Sequence, residues 1–303
     1  MTTYLVLDIE TIPDESMWQP PEPEIEKISI DKNPTKDSLR FLDEVIRYLD
    51  MNKPVHAEDI DKAADIARRA ERTKDFERLS PMIVIPEEKT PFAPTHAHMP
   101  VAIGCVWLDA NFHCKKVGCM KIGEGGEKSL LREWNDFMAM QKPTVVSWYG
   151  RGFDMPVLML RTFRHGINMN WYFDDRDYRY RYSENRNCDL CDVMSDFGAS
   201  RNLKLDAIAQ LIGLPGKHDD VDGSQVTEMF KAGRLDDIAT YCTDDTLQTA
   251  FVFLRWNLIK GRLDLASYQS AAQSILNAIS GMDNLKSFRD LIRQDELLLT
   301  EAA

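Results

Sequence analysis

The sequence predicts an α/β fold, with strands in its first half and helices from residue 154 to the C-terminal end. Short apolar runs rich in β-branched residues lie at 2–9, 99–109, 114–122 and 144–148, between turn-forming residues. Apolar residues then recur at helical spacing. With 303 residues, 44% of them hydrophobic, the chain is long enough for one large domain with additions or for two domains.

The first strand carries two acids where a buried strand should carry none. Asp8 and Glu10 follow the apolar residues up to Leu7, and their spacing of two points both side chains to the same side. Two ionised carboxylates this close repel each other, and burial raises the cost further. A bound divalent cation would offset both the repulsion between the carboxylates and the cost of burying them. The alternative is that the strand ends at Leu7 and that both acids are solvated turn residues.

The middle of the chain leads to a third acid. The second and third apolar runs form a hairpin, and a helix over 127–140 then precedes the strand at 144–148, which follows Pro143. Two glycines allow a sharp exit from that strand, and Asp154 stands where the next helix begins. This position suits a catalytic carboxylate, but an ordinary helix N-cap is the competing interpretation.

A fourth acid lies on a long helix predicted over 235–259. Tyr241 and Asp245 are four residues apart and therefore project from one face, one turn separated. Cys242 flanks that face and indicates partial burial, in which case the acid needs a partner. The alternative is that Asp244 and Asp245 are two solvated acids on an exposed face.

Two segments lie outside this core pattern. Residues 13–98 form an insertion with proline-rich ends and a highly charged, helical middle over 36–78, which is typical of a lid, a partner surface or a solvated elaboration. Residues 264–300 predict two amphipathic helices that pack on the core or on a second copy of the chain. We therefore expect a main domain over 1–262, containing the insertion, and a helical extension over 263–303.

Composition narrows the class of protein. No run of 18 apolar residues occurs and the chain opens with a strand, so we expect neither a membrane span nor a signal peptide. Six cysteines fit a reducing compartment, and we expect a cytoplasmic location. Cys188 and Cys191 form the one close pair; small buried cysteines are favoured over a zinc site, because further ligands would fall at irregular spacings.

The order of the acidic motifs resembles a known group of nucleases. Asp8 and Glu10 on the first strand, Asp154 after a later strand, and Tyr241-x-x-x-Asp245 on a late helix resemble the DEDD exonucleases of the ribonuclease H-like fold. The tyrosine before the last acid is typical of the DEDDy branch. The runs D-I-E-T, G-R-G-F-D-M-P-V-L and I-A-T-Y-C-T-D-D are similar to stand-alone 3′–5′ exonucleases related to the exonuclease domain of family B DNA polymerases, over roughly 1–14 and 99–262.

This resemblance implies a fold and a chemistry. The fold would be a five-stranded mixed sheet, its second strand antiparallel, flanked by helices. The four acids would hold two Mg²⁺ or Mn²⁺ ions, which prefer carboxylate and water oxygens. Asp8 would bridge the ions, Glu10 and Asp245 would complete the site of the nucleophilic water, and Asp154 would hold the second ion. Tyr241 would orient the water, since a phenol of pKa near 10 is a poor base at neutral pH.

Substrate handling is less well defined by the sequence. The family usually has Asn five residues before the second-motif acid, near the substrate strand, whereas this chain has Tyr149. The net charge of −12 is unusual for a protein that coats nucleic acid, although an exonuclease grips only one 3′ end. Arginines and tyrosines alternate from Arg176 to Arg186. They predict either a path for a single strand or a solvent-facing hairpin with inward tyrosines.

The leading hypothesis is a metal-dependent 3′–5′ exonuclease that releases nucleoside 5′-monophosphates from single-stranded ends, with DNA the expected substrate. One alternative is an exoribonuclease that trims RNA 3′ ends, and another is a non-catalytic nucleic-acid-binding module, against which the intact set of four acids and tyrosine argues. The expected partner is a single-stranded DNA or RNA 3′ end. A second copy of the chain, or a polymerase or repair protein, would bind through the 13–98 insertion or the C-terminal helices.

Overall fold

The computed structural model describes residues 2–20, 36–51, 53, 55–79, 92–200, 203–217 and 225–300. The chain forms two compact units. The larger comprises 1–19 with 93–303, and the smaller comprises 20–92. Most of the prolines predicted to flank the helical part of the insertion lie outside the described residues.

The larger unit is built on a five-stranded mixed sheet. Its strands are β1 (Tyr4–Pro13), β2 (His98–Leu108), β3 (Cys114–Lys121), β4 (Thr144–Ser147) and β5 (Asn187–Asp189), in the order β3-β2-β1-β4-β5. Strand β2 is antiparallel to both β1 and β3, whereas β4 runs parallel to β1 and β5 parallel to β4. The predicted α/β fold, with a mixed sheet whose second strand is antiparallel, is confirmed.

Strand β1 is longer than the sequence predicts. Its pairing with β2 continues past Ile9, through a bulge between Glu10 and Thr11, to Pro13. The expected end at residue 9 was wrong because the pairing partner is remote in sequence. The alternative in which the strand ends at Leu7 is also wrong, since both acids lie within the paired strand.

Thirteen α-helices occur among the described residues. In chain order they are α1 (Lys36–Asp50), α2 (Ala57–Arg69), α3 (Thr73–Leu79), α4 (Gly126–Gln141), α5 (Asp154–Arg164), α6 (Asn170–Asp174), α7 (Leu190–Met194), α8 (Leu205–Leu211), α9 (Val226–Lys231), α10 (Leu235–Ile259), α11 (Leu265–Ile279), α12 (Lys286–Asp290) and α13 (Gln294–Leu298). No helix in this part of the chain has the length and apolar character needed to cross a membrane.

The two faces of β1 pack into different cores. Leu5, Leu7 and Ile9 lie in a buried cluster with residues of α4 and α5. Val6 lies in a second cluster, with α10 and α11, that includes Phe251. Because side chains alternate along a strand, Asp8 and Glu10 share the α10 face with Val6.

The C-terminal tail differs from its prediction. Helix α11 is present, but the second predicted amphipathic helix is divided into α12 and α13. The break has a non-local cause. The Arg293 backbone N–H donates to Gly213 O (2.8 Å), and its guanidinium donates to Gln210 O (2.8 Å). Tyr268 and Ile275 of α11 are fully buried in the same cluster as Phe251, so the tail packs on the core of the larger unit.

The smaller unit is helical. Helices α1, α2 and α3 surround a cluster of buried apolar residues that includes Leu42, Ala63 and Leu79. This agrees with the helical stretch that the sequence predicts over 36–78. Because these helices share a buried apolar cluster, the insertion is more than a solvated elaboration.

Candidate active site

Strand β1 presents Asp8 and Glu10 to helix α10. Asp8 pairs with Gly104 of β2, and Glu10 pairs with Ala102. Asp8 is half-buried and Glu10 is buried. The two carboxylates therefore lie on the inner face of the central strand, where water cannot fully solvate them.

Helix α10 approaches β2 closely at this point because Gly104 lacks a side chain. The Gly104 backbone N–H donates to Cys242 Sγ at 3.1 Å, and the Cys242 thiol lies 3.8 Å from Asp8 Oδ2. A Cβ atom at Gly104 would lie 2.8 Å from Cys242 O and 2.1 Å from Thr246 Oγ1. Potential ligand atoms of Asp8, Glu10 and Cys242 lie within 4.8 Å of one another.

Tyr241 and Asp245 lie on the same part of α10, and both are half-buried. Burial, followed by the charges of Asp245, Glu10 and Asp8, raises the pKa of Tyr241, as does its hydrogen bond to Asp245. The phenol therefore stays protonated at neutral pH and acts as a donor. Asp244 is 5% exposed, so the alternative of two solvated acids is wrong.

The turn between β4 and α5 brings in Asp154. Phe153 holds the N-cap position and Asp154 begins the helix, where the residue is only 4% exposed. Asp154 is therefore not the ordinary N-cap that the alternative interpretation required. Burial raises the pKa of Asp154 to about 7, although the backbone N–H groups of Asp154 and Ile9 lower it.

Asp189, which is not among the site residues predicted from the sequence, anchors this turn. It ends β5, is buried, and accepts hydrogen bonds from the backbone N–H groups of Tyr149 (3.0 Å), Arg151 (2.9 Å) and Asp192 (3.2 Å). Its charge also raises the pKa of Asp154. No apolar run marks Asp189 in the sequence, because the residues from Ser183 to Asn187 are all polar or charged.

A buried ion-pair network around Arg161 connects the elements next to the site. Arg161 of α5 is 1% exposed. It donates to both carboxylate oxygens of Glu127 (2.5 and 2.8 Å) and to Asp14 Oδ2 (2.8 Å). Burial works against ionisation of Asp14, but hydrogen bonds from Ser16 and Arg161 lower the pKa of Asp14 to about 2. This ion-pair network joins the segment after β1 to α4 and α5.

The four acids interact electrostatically. Burial raises the pKa of Asp8 well above its usual value, and the charges of Asp154, Glu10 and Asp245 raise it further. Glu10 behaves likewise, with Asp245 and Asp154 raising its pKa after burial, while the ammonium of Lys217 lowers it. The structure therefore brings together Asp8, Glu10, Asp154 and Asp245, with Tyr241 beside them.

Comparison with known proteins identifies the family of this chain. Residues 90–292, about two thirds of the chain, match a family described as predicted 3′-5′ exonucleases related to the exonuclease domain of PolB. The chain belongs to this family. A search of curated proteins finds no match to this chain. The matched range contains Asp154, Tyr241 and Asp245, whereas Asp8 and Glu10 precede it.

The donor set of this exonuclease-family site fits hard divalent cations. Carboxylate oxygens are the ligands that Mg²⁺ and Mn²⁺ prefer, and mutual repulsion among the four acids is the electrostatic problem that bound cations would solve. Cys242 is a poorer ligand, because burial raises the pKa of its thiol, followed by the effects of Cys119, Asp8 and Glu10. A thiol must lose its proton to bind a metal.

The arginine–tyrosine segment is neither of the two predicted arrangements in full. Tyr178 is buried and donates to Pro143 O (2.8 Å), as the inward-facing alternative requires. Tyr180 and Tyr182 are 42% and 60% exposed. Arg181 pairs with Asp192, so only part of this segment is available to a ligand.

Proposed function

We propose that this protein is a metal-dependent 3′–5′ exonuclease acting on the 3′ ends of single-stranded nucleic acid, with DNA as the expected substrate. The observation that carries this proposal is the convergence of Asp8, Glu10, Asp154 and Asp245 with Tyr241. Three separate elements supply them, and one element, β1, precedes the range matched by the family. Membership of a predicted 3′–5′ exonuclease family supports the direction of attack.

Asp8, Glu10, Asp154 and Asp245 would hold two Mg²⁺ or Mn²⁺ ions in this proposal. Two such ions supply the charge that activates a water and stabilises the leaving oxygen in phosphodiester hydrolysis. The products would be nucleoside 5′-monophosphates.

Tyr241 would position the attacking water. Burial and the neighbouring acids raise the pKa of its hydroxyl, which favours donating a hydrogen bond to the water over removing the water's proton. The hydroxyl instead fixes the direction of a hydrogen bond beside Asp245. Asp189 would act through the backbone, by holding the turn that carries Asp154 in one conformation.

The experiment is hydrolysis of 5′-labelled and 3′-labelled single-stranded DNA and RNA oligonucleotides, with Mg²⁺, Mn²⁺ or EDTA. A 5′-labelled DNA strand should shorten stepwise in either metal and stay intact in EDTA. Preference for the RNA strand would assign the activity to RNA trimming instead. Full activity in EDTA, or cutting of a circular single strand, would overturn the proposal.

We also infer a cytoplasmic location, because all six cysteines are free thiols and disulfides are rare in reducing compartments. Partner binding through the 13–98 insertion or the C-terminal helices stays a prediction.

A further inference from the structure

Tyr149 combines an unusual backbone conformation with exposure to solvent. Its backbone is left-handed, with φ of +63°, a region that bulky residues seldom adopt. Half of the residue is exposed. Strained backbone of this kind occurs preferentially at functional sites, where the surrounding structure holds it in place.

Two features hold the Tyr149 ring in position. The backbone N–H donates to the buried carboxylate of Asp189 at 3.0 Å. The ring itself lies on Gly152, where a Cβ atom would come within 2.5 Å of the ring. The turn thus supports one side of an aromatic ring, five residues before Asp154.

Tyr149 borders two cavities. One has a volume of about 520 Å³ and includes Arg179 and Arg181 in its wall. The other also has a volume of about 520 Å³ and includes Lys204 and Lys217. Each volume lies within the ~300–1,000 Å³ range of ligand pockets. Tyr149 is followed by Gly150, where a Cβ atom would lie 3.6 Å from Asp154 Oδ2, so both cavities border the turn that carries this acid.

Several charged groups in these walls are already engaged. Asp192 pairs with Arg181, and Asp206 accepts hydrogen bonds from the Lys217 backbone N–H (2.6 Å) and from Gln210 (3.1 Å). Within the described part of the chain, Arg179 forms no ion pair; its guanidinium lies over the Phe173 ring and donates to Phe173 O. Cationic side chains are therefore available on both sides of Tyr149.

We propose that Tyr149 is a base-stacking residue that holds the single strand beside the carboxylate site. Its ring contacts one base near the 3′ end, while Lys217 on one side and Arg179 on the other face successive phosphates. The inference rests on the proposed function for the identity of the ligand. Aromatic rings beside basic side chains are the usual means of binding single strands without sequence preference.

The test is binding of a 5′-fluorescein single-stranded DNA oligonucleotide, followed by fluorescence anisotropy in EDTA so that no strand is cut. Tyr149→Asn should raise Kd about 5- to 100-fold, the effect of losing one stacked base. Asn tolerates the left-handed conformation, so the variant should fold. Tyr149→Phe, which keeps the ring, should bind as the unmodified protein does. Phe163→Asn removes another exposed aromatic, on α5, and should leave Kd unchanged.

Oligonucleotides with one abasic residue at successive positions from the 3′ end locate the contact. An abasic residue at one of these positions should raise the Kd of the unmodified protein about as much as Tyr149→Asn does. The same oligonucleotide should raise the Kd of the Tyr149→Asn variant little further. Equal Kd for Tyr149→Asn and the unmodified protein would overturn the inference, as would additive losses at every abasic position. Absence of any binding would overturn it as well. If the protein hydrolyses DNA but Tyr149→Asn binds it with unchanged Kd, the proposed function stands and the stacking inference fails. If binding depends on Tyr149 but no strand is hydrolysed, only the proposed function is refuted.

Discussion

Gly104→Ala should disturb both the stability of the protein and its proposed site, because α10 packs against β2 at Gly104 with no room for a side chain. The new Cβ would lie 2.1 Å from Thr246 Oγ1 and 2.8 Å from Cys242 O, whereas ordinary contacts begin near 3.4 Å. Thr246 can rotate away only by giving up its 2.6 Å hydrogen bond to Cys242 O. The backbone oxygen of Cys242 cannot rotate, so α10 itself must move.

The size of the effect follows from that geometry. Relieving the overlap with Cys242 O needs a shift of roughly half an ångström, and overpacking of this kind costs about 1–3 kcal/mol in the free energy of unfolding. Because α10 carries Tyr241 and Asp245, the same shift should lower kcat about 10-fold or more, since a misplacement of ~1 Å can cost ~100-fold.

Urea unfolding followed by circular dichroism gives the first quantity, and the initial rate of nucleotide release gives the second. Gly118→Ala on the neighbouring strand is the matched control, because no atom lies within 4 Å of its new Cβ. That control should be neutral or stabilise by about 0.4–1 kcal/mol. If Gly104→Ala behaves like Gly118→Ala in both assays, the close approach does not constrain α10 and the reasoning fails.

Three further predictions follow from the site and its supports. Asp8→Ala and Asp245→Ala should each lose at least about three orders of magnitude in rate, measured at saturating Mg²⁺; near-normal rates would exclude them as ligands. Tyr241→Phe should lower kcat roughly 10- to 1,000-fold with little change in unfolding; unchanged turnover would remove its hydroxyl from the mechanism. Asp14→Asn should cost about 1–2 kcal/mol at pH 7, because the folded pKa of Asp14 is lowered from 3.8 to about 2. That stability is fully present above pH 4 and is lost as the pH falls through 2, so the deficit of the variant should shrink on acidification in urea titrations; a deficit that grows would contradict the assignment.

Local patterns predicted most of the fold. Apolar spacing predicted the first four strands and the long helix over 235–259, because each of these depends on neighbouring residues. The five-stranded mixed sheet and the family were implied by the resemblance that the acidic motifs carry, and no local pattern marked β5. The same resemblance implied that Asp8, Glu10, Asp154, Tyr241 and Asp245 form one site. The structure brings them together, while their catalytic roles stay predictions.

Contacts between remote segments explain what the sequence did not predict. The extension of β1 to Pro13 depends on pairing with Met99 and His98. The break before α13 depends on Arg293 reaching Gly213. Asp189 looks locally like a helix cap, and it does cap α7, but its further bonds to the turn after β4 link segments some forty residues apart.

The central position of β1 has a consequence for how the protein is made. Strand β1 can acquire its neighbours in the sheet only after His98 and Thr144 have been synthesised, and 234 residues separate Asp8 from Cys242. Joining β1 to β2 across residues 14–97 costs about 2.5 kcal/mol more loop-closure entropy than a five-residue turn would, and such high contact order slows folding. A nascent chain therefore carries the first pair of acids long before it has the helix that faces them.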